Sequence, residues 1–221
     1  DSIQRVLAEG RQVLYLVPEI ALTTQLTNRL RKMFGDKLVI YHSKFSDNER
    51  VEIWNTLLDS REPRLVLGVR SSIFLPFADL GLVIVDEEHE TSYKQYDPAP
   101  RYHARNAAIV LASMHGAKTL LGTATPAIET YFNARQGKYG LVELKKRFND
   151  VELPEIIPVD VKEMRKKNRM QGNFTPELLN RMQHALQAGE QVILFQNRRG
   201  FAPMIECREC GWVPKCESCD V

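Results

Sequence analysis

Short apolar, β-branched runs alternate along the first two thirds of the chain with longer stretches that repeat apolar positions at helical spacing. The runs at residues 13–17, 38–41, 64–69, 82–86, 118–122 and 139–144 read as strands. Residues 2–9, 20–34, 47–59, 103–114 and 127–136 read as helices. Strand and helix in strict alternation predict an α/β layered domain with a mostly parallel sheet and helices on both faces. The run Leu82-Val83-Ile84-Val85 has no polar alternation, which fits a strand covered on both sides. The pattern lapses into charges and prolines between Lys145 and Pro158, so a boundary is expected near residue 150. Beyond it, residues 155–160 and 191–196 read as strands, and 176–188 as a helix with Thr175 as cap and Pro176 at its first position. Residues 162–169 carry Lys162, Arg165, Lys166, Lys167 and Arg169 without an apolar face, and read as an exposed loop. A second α/β lobe is expected to begin here.

Composition narrows the classes. At 221 residues and 43% hydrophobic the chain can bury a core, and a formal charge of +2 confines any nucleic-acid contact to local patches. No apolar run approaches a membrane span, and the first residues resemble neither a signal nor a transit peptide; a cytoplasmic protein with no membrane partner is expected. The chain lacks an initiator Met and reads as a piece of a longer protein. All four cysteines fall between Cys207 and Cys219, which argues for a local metal site over a disulfide framework.

Ligands of open parallel sheets bind at the carboxyl ends of strands, and the run at 82–85 leads into Asp86-Glu87-Glu88-His89. Asp86 and Glu87 suit Mg²⁺ holding and water orientation at a nucleoside triphosphate, but acids after a strand also begin loops or cap helices. Gly122-Thr123-Ala124-Thr125-Pro126 likewise suits a strand-to-helix turn with Thr125 as cap. Order and spacing of the two segments resemble superfamily 2 helicases, in which a DExH box precedes a Ser/Thr-Ala-Thr segment.

The resemblance extends to Val17-Pro18-Glu19-Ile20-Ala21-Leu22-Thr23, Tyr41-His42-Ser43, Val69-Arg70-Ser71-Ser72-Ile73-Phe74, Ser92-Tyr93-Lys94-Gln95, Arg101-Tyr102-His103-Ala104-Arg105 and Asn197-Arg198-Arg199-Gly200-Phe201-Ala202-Pro203. In this order the chain is similar to the PriA family of replication-restart DNA helicases. That resemblance implies 3′ to 5′ unwinding by two RecA-like lobes with ATP and Mg²⁺ between them. The first lobe would span residues 1–148, and the start of the second 149–206. It assigns Asp86, Glu87 and His89 to catalysis, with Asp86 and Glu87 also holding the cofactor, and Thr123, Ala124 and Thr125 to coupling. Forked or single-stranded DNA would meet Pro18, Glu19, Arg70, Ser71, Tyr93, Lys94, Gln95, Tyr102 and Arg105. Tyrosines offer bases a stacking face and Lys or Arg neutralise phosphates, although tyrosines at this spacing also pack as core. Single-strand-binding protein and other primosome proteins are the partners it implies, with a monomer as the oligomeric state.

The pattern Cys207-x2-Cys210-x5-Cys216-x2-Cys219 presents two knuckles suited to Zn²⁺, within a truncated cysteine-rich region at 207–221. In PriA-type relatives each pair belongs to a separate zinc site completed by later cysteines, so half-sites are expected here. No G-x-x-x-x-G-K-[ST] string occurs, which places the phosphate cradle outside these residues and leaves them without ATP turnover of their own. Two rivals are another superfamily 2 translocase, such as a repair or restriction motor, and a zinc-stabilised DNA-binding adaptor without ATPase function.

Overall fold

A computed structural model describes residues 1–42, 45–59, 62–146 and 154–195, with 209, 210 and 212. Its contacts divide the chain into two compact units, Asp1–Leu144 and Lys145–Val221.

The first unit is built on five parallel strands, β1 (Gln12–Leu16), β2 (Leu38–Tyr41), β3 (Leu65–Gly68), β4 (Leu80–Val85) and β5 (Lys118–Leu121), in the spatial order β2-β3-β1-β4-β5. The chain leaves β1 toward β2 and β4 toward β5, so the order reverses between β1 and β4. That makes their carboxyl ends the switch point at which open sheets hold ligands. Strand parity explains how both faces are covered. Leu14, Leu16, Val66, Val83 and Val85 face one layer, where they meet Leu57 of α3 (Asp47–Asp59) and Ala104, Ala108 and Ala112 of α4 (Ala104–Met114). The opposite parity, Val13, Val17, Leu65, Leu67 and Leu82, packs on Leu7 of α1 (Ser2–Ala8) and Leu30 of α2 (Thr24–Phe34). Three alanines one helical turn apart let α4 lie close on the sheet. Gly68 ends β3 because a Cβ there would lie 1.9 Å from the Ser72 Oγ; the 3₁₀ turn Arg70–Phe74 folds back over that spot.

The helix read at residues 20–34 divides. A 3₁₀ turn at Glu19–Ala21 comes first, and α2 starts at Thr24 because the Thr23 Oγ accepts the Leu26 N–H at 3.2 Å. Helix α5 (Ile128–Arg135) follows β5. Residues 139–144 form no strand.

In the second unit the described residues contain α6 (Val161–Lys166) and α7 (Pro176–Gln187) and no strand. The exposed loop read at 162–169 is corrected to a helix for most of its length: Asp160 Oδ1 accepts the Lys162 and Glu163 N–H groups at 2.8 and 3.1 Å, and Glu163 pairs with Lys167 one turn on. Capping and an i,i+4 pair supply locally what an apolar face would otherwise give. Helix α7 begins as read, with the Thr175 Oγ accepting from Leu178 N and Pro176 at the first position. The strands read at 155–160 and 191–196 do not form over residues 155–160 and 191–195, where no neighbouring strand among the described residues supplies a ladder. A second RecA-like lobe is therefore not seen among the described residues. Ser43, residue 196, the segment 197–203 and Cys207, Cys216 and Cys219 lie outside them, while Cys210 is exposed.

Candidate nucleotide and nucleic-acid site

The carboxyl edge of the sheet gathers the sequence motifs on four neighbouring strands. Arg70 and Ser71 follow β3, Pro18 and Glu19 follow β1, the acidic segment follows β4, and Thr123 to Thr125 follow β5.

Asp86 leaves β4 with its N–H donated to Leu16 O at 2.9 Å, which fixes it beside the end of β1. Its carboxylate accepts the Tyr15 hydroxyl on Oδ2 at 2.9 Å and the Glu87 N–H on Oδ1 at 3.1 Å. Burial, and after it the Asp86 charge and hydrogen bond, push the Tyr15 phenol up to about 12, so it stays a donor to that carboxylate at neutral pH. The Tyr93 hydroxyl donates to Asp86 O at 2.7 Å, and burial raises that phenol as well, with Asp86 adding to the shift.

Glu87 adopts φ +46°, a left-handed conformation that costs a side-chain-bearing residue about 1–2 kcal/mol. Such residues cluster where surrounding bonds over-determine the backbone. Here the Glu88 N–H donates to Gly122 O at 3.1 Å and the Glu90 N–H to Glu87 O at 2.8 Å. The turn leaves Asp86 half-buried and Glu87 exposed at the switch point. Two oxygen donors of this kind suit Mg²⁺, a hard cation that takes carboxylates and phosphates.

His89 joins the acidic segment to the one after β5: its Nδ1 lies 2.7 Å from the Thr123 Oγ and its Nε2 3.3 Å from the Thr125 Oγ. The Thr123 Oγ in turn accepts the Thr125 N–H at 3.0 Å, while Ala124 is exposed between them. The two threonines thus hold both ring nitrogens of one imidazole.

Residues 94–103 form a self-bonded hairpin. Lys94 and His103 pair across it, Gln95 N donates to Tyr102 O at 2.9 Å, Lys94 Nζ to Arg101 O at 2.5 Å, and Gln95 Nε2 to Pro98 O at 2.7 Å. Arg70 braces it through donations to Ser92 O at 3.3 Å and Lys94 O at 3.0 Å, and Tyr102 packs edge-on against Phe74 with ring centres 4.8 Å apart. Two residues read as DNA contacts are not offered to one in this structure. Tyr93 is 1% exposed inside the core, and Arg105 is buried in an ion pair with Glu88. The hairpin instead presents Tyr96 and Arg101 to solvent. Burial, with Arg105 and Lys94 adding to it, lowers the His103 imidazole and favours its neutral form.

Two residues of the candidate site escape a reading of the sequence. Tyr15 looks like a strand residue of the apolar face, and only the β1–β4 register, which sets Tyr15 against Ile84, shows that its hydroxyl reaches Asp86. Glu88 looks like one more surface acid in an acidic run, yet it is fully buried. Its Oε2 accepts Arg105 Nη1 at 2.8 Å and the Thr130 Oγ at 2.9 Å, and its Oε1 accepts Ala127 N at 2.8 Å. The sequence signal that could have found it is the arginine at the first turn of α4, on the helix face that also carries the buried Ala108 and Ala112.

A family model described as DEAD/DEAH box helicase matches residues 2–133. The chain is 44% identical over 222 residues to the replication restart protein PriA of Bacillus subtilis (strain 168), covering 100% of this chain and 27% of that protein. It is 41% identical over 218 residues to PriA of Haemophilus influenzae, covering 99% and 29%, and 38% identical over 219 residues to PriA of Chlamydia trachomatis, again covering 99% and 29%. Among solved structures, the C-terminal domain of the DEAD-box protein Dbp5 aligns at a TM-score of 0.37 with 14% identity, over 65% of this chain and 81% of that one, a likeness too slight to carry weight.

Proposed function

This chain belongs to the DEAD/DEAH box helicase family, and from that premise we propose that it is the acid-bearing part of the first motor lobe of an ATP-driven 3′ to 5′ DNA helicase acting in replication restart. It spans 27–29% of the length of the three PriA relatives named above, so the activity is that of the longer protein of which it would be part. The observation that carries the reading is the placement of Asp86 and Glu87 at the switch point, with His89 joined to Thr123 and Thr125 of the next strand end.

Asp86 would hold Mg²⁺, which when bound offsets the charge on the nucleotide phosphates. The Tyr15 hydroxyl orients the Asp86 carboxylate, and the left-handed turn sets Glu87 beside it, where its carboxylate orients and deprotonates the attacking water. His89 carries the state of that turn to Thr123 and Thr125. Single-stranded DNA would cross the carboxyl edge over Pro18, Glu19, Arg70, Ser71 and the hairpin, with Tyr96 and Arg101 added to Lys94, Gln95 and Tyr102, and Tyr93 and Arg105 acting from beneath. Arg70 already donates into the hairpin, so a phosphate bound there competes for one guanidinium. The two cysteine pairs are proposed as ligands of Zn²⁺, tested by the metal content of the purified protein. No helix among the described residues is long and apolar enough to cross a membrane.

The experiment is ATP hydrolysis by the longer protein with single-stranded DNA present. Glu87→Gln keeps the size of the side chain and removes its basicity; it should lower kcat roughly 10²–10⁴-fold. Turnover within a few-fold of wild type would overturn the reading. The 221 residues alone contain no phosphate-loop string and should show no steady turnover.

A further inference from the structure

We propose that Glu88 is a positioning residue that transmits the state of the DNA-facing hairpin to the strained turn bearing Glu87. The inference rests on the ATP-driven reading above and assigns a role to a residue that reading leaves unused. Its side chain is completely buried, and its three hydrogen bonds come from two different elements. Arg105 lies in the first turn of α4, two residues after the hairpin closes at His103. Ala127 and Thr130 lie at the start of α5, directly after the segment that holds His89. Both carboxylate oxygens are thus occupied by groups that move with the two segments expected to sense DNA and nucleotide.

The backbone of Glu88 gives these contacts their consequence. Its N–H donates to Gly122 O, and the residue before it sits at φ +46°. A left-handed glutamate is retained only while its surroundings hold it. Glu88 is anchored to the end of β5 by its backbone and to α4 and α5 by its side chain, so a shift of either helix start acts on the peptide that orients Glu87. His89 links the same turn to Thr123 and Thr125, and among the described residues those hydrogen bonds do not reach α4. Among the described residues, the Arg105 to Glu88 pair is the side-chain ion pair that ties the hairpin's helix to the acidic turn.

The test is steady-state ATP hydrolysis by the longer protein, with and without a saturating single-stranded oligonucleotide, for wild type, Glu88→Gln, Thr130→Val and Thr130→Ser. Melting temperature is read on each. Glu88→Gln should lower DNA-stimulated kcat about tenfold while KM for ATP stays within twofold. Thr130→Val, which removes one of the three bonds, should lower it about threefold, and Thr130→Ser should restore it. Wild-type stimulation in a folded Glu88→Gln protein would overturn the proposal. If that variant does not fold, Thr130→Val decides, and an unchanged kcat there overturns it equally. A parallel rise in KM, or equal losses with and without DNA, would mark Glu88 as structural only and would also overturn it. If wild type itself shows no DNA-stimulated turnover, the ATP-driven reading fails and this inference falls with it.

Discussion

Two ion pairs of the same chemistry stand in the two units. Arg105 meets Glu88 at 2.8 Å with side chains 8% and 0% exposed, and Arg181 meets Glu177 at 2.7 Å with side chains 53% and 44% exposed. The distances are alike, so the difference lies in what surrounds them. Around the first pair the chain has closed a core of strands and α4, and water cannot replace a lost partner. Around the second, each charge is hydrated whether or not it is paired. The same contrast runs through the described residues: among them the buried apolar side chains all belong to Asp1–Leu144, while Ile156, Ile193 and Phe195 of the second unit are 87%, 93% and 84% exposed.

The sharpest way to break this comparison is to remove one acid from each pair. Glu88→Ala leaves Arg105 buried and uncompensated and should destabilise the first unit by about 3–5 kcal/mol. Glu177→Ala removes an exposed i,i+4 pair on α7 and should cost only about 0.2–0.5 kcal/mol. Urea unfolding of the two variants measures both, and similar losses would show that burial does not set the value of these pairs.

Core truncation makes the same point without charge. Leu14→Ala empties a fully buried site between the sheet and α4 and should cost about 2–5 kcal/mol. Ile193→Ala in the second unit should change stability by less than about 0.5 kcal/mol. A thermal melt that separates these two by several degrees supports the contrast; equal shifts refute it.

A smaller effect sharpens the comparison from the other side, because the second unit's order is local. Thr175→Ala removes the cap of α7 and should cost about 1 kcal/mol, seen as lost helicity of residues 176–187 by amide exchange. That locality also explains what a reader of the sequence can see. Thr175, Pro176 and the periodic apolar positions of α7 lie within a few residues of one another, so the helix is legible without knowing its neighbours. Strands are legible only where the fold supplies a ladder on at least one side. The runs at 13–17 and 82–86 became β1 and β4, whereas the runs at 191–195 and 139–144 have no strand beside them among the described residues and did not. At the candidate site, the gathering of Asp86, Glu87, His89, Thr123 and Thr125 at the carboxyl edge of the sheet was legible from motif order. The burial of Tyr93, Arg105 and Glu88 was not, because it depends on α4 folding back over β4, a contact distant in sequence and unmarked by any local signal.

The smallest predicted effect concerns His103, whose buried Nδ1 has no hydrogen-bond partner among the described residues and whose lowered pKa follows from burial first, then from Arg105 and Lys94. Glu129 and Glu88 act in the opposite direction and do not overcome it. Because the folded state disfavours the imidazolium, the unfolded chain takes up the proton first as pH falls. Stability from this group is therefore complete above the ordinary imidazole value of about 6.5 and declines as pH drops from there toward the lowered folded value. Carboxylates elsewhere titrate in the same direction, so the group has to be isolated by difference. His103→Gln is uncharged throughout, and its stability relative to wild type should rise as the urea midpoint is followed from pH 7.5 to pH 5. A difference that stays flat over that range would mean that the imidazole at the hairpin's closing pair is solvated like any surface histidine. The hairpin root would then belong with the second unit, where neighbours are hydrated and charge is inexpensive, rather than with the closed core around Glu88.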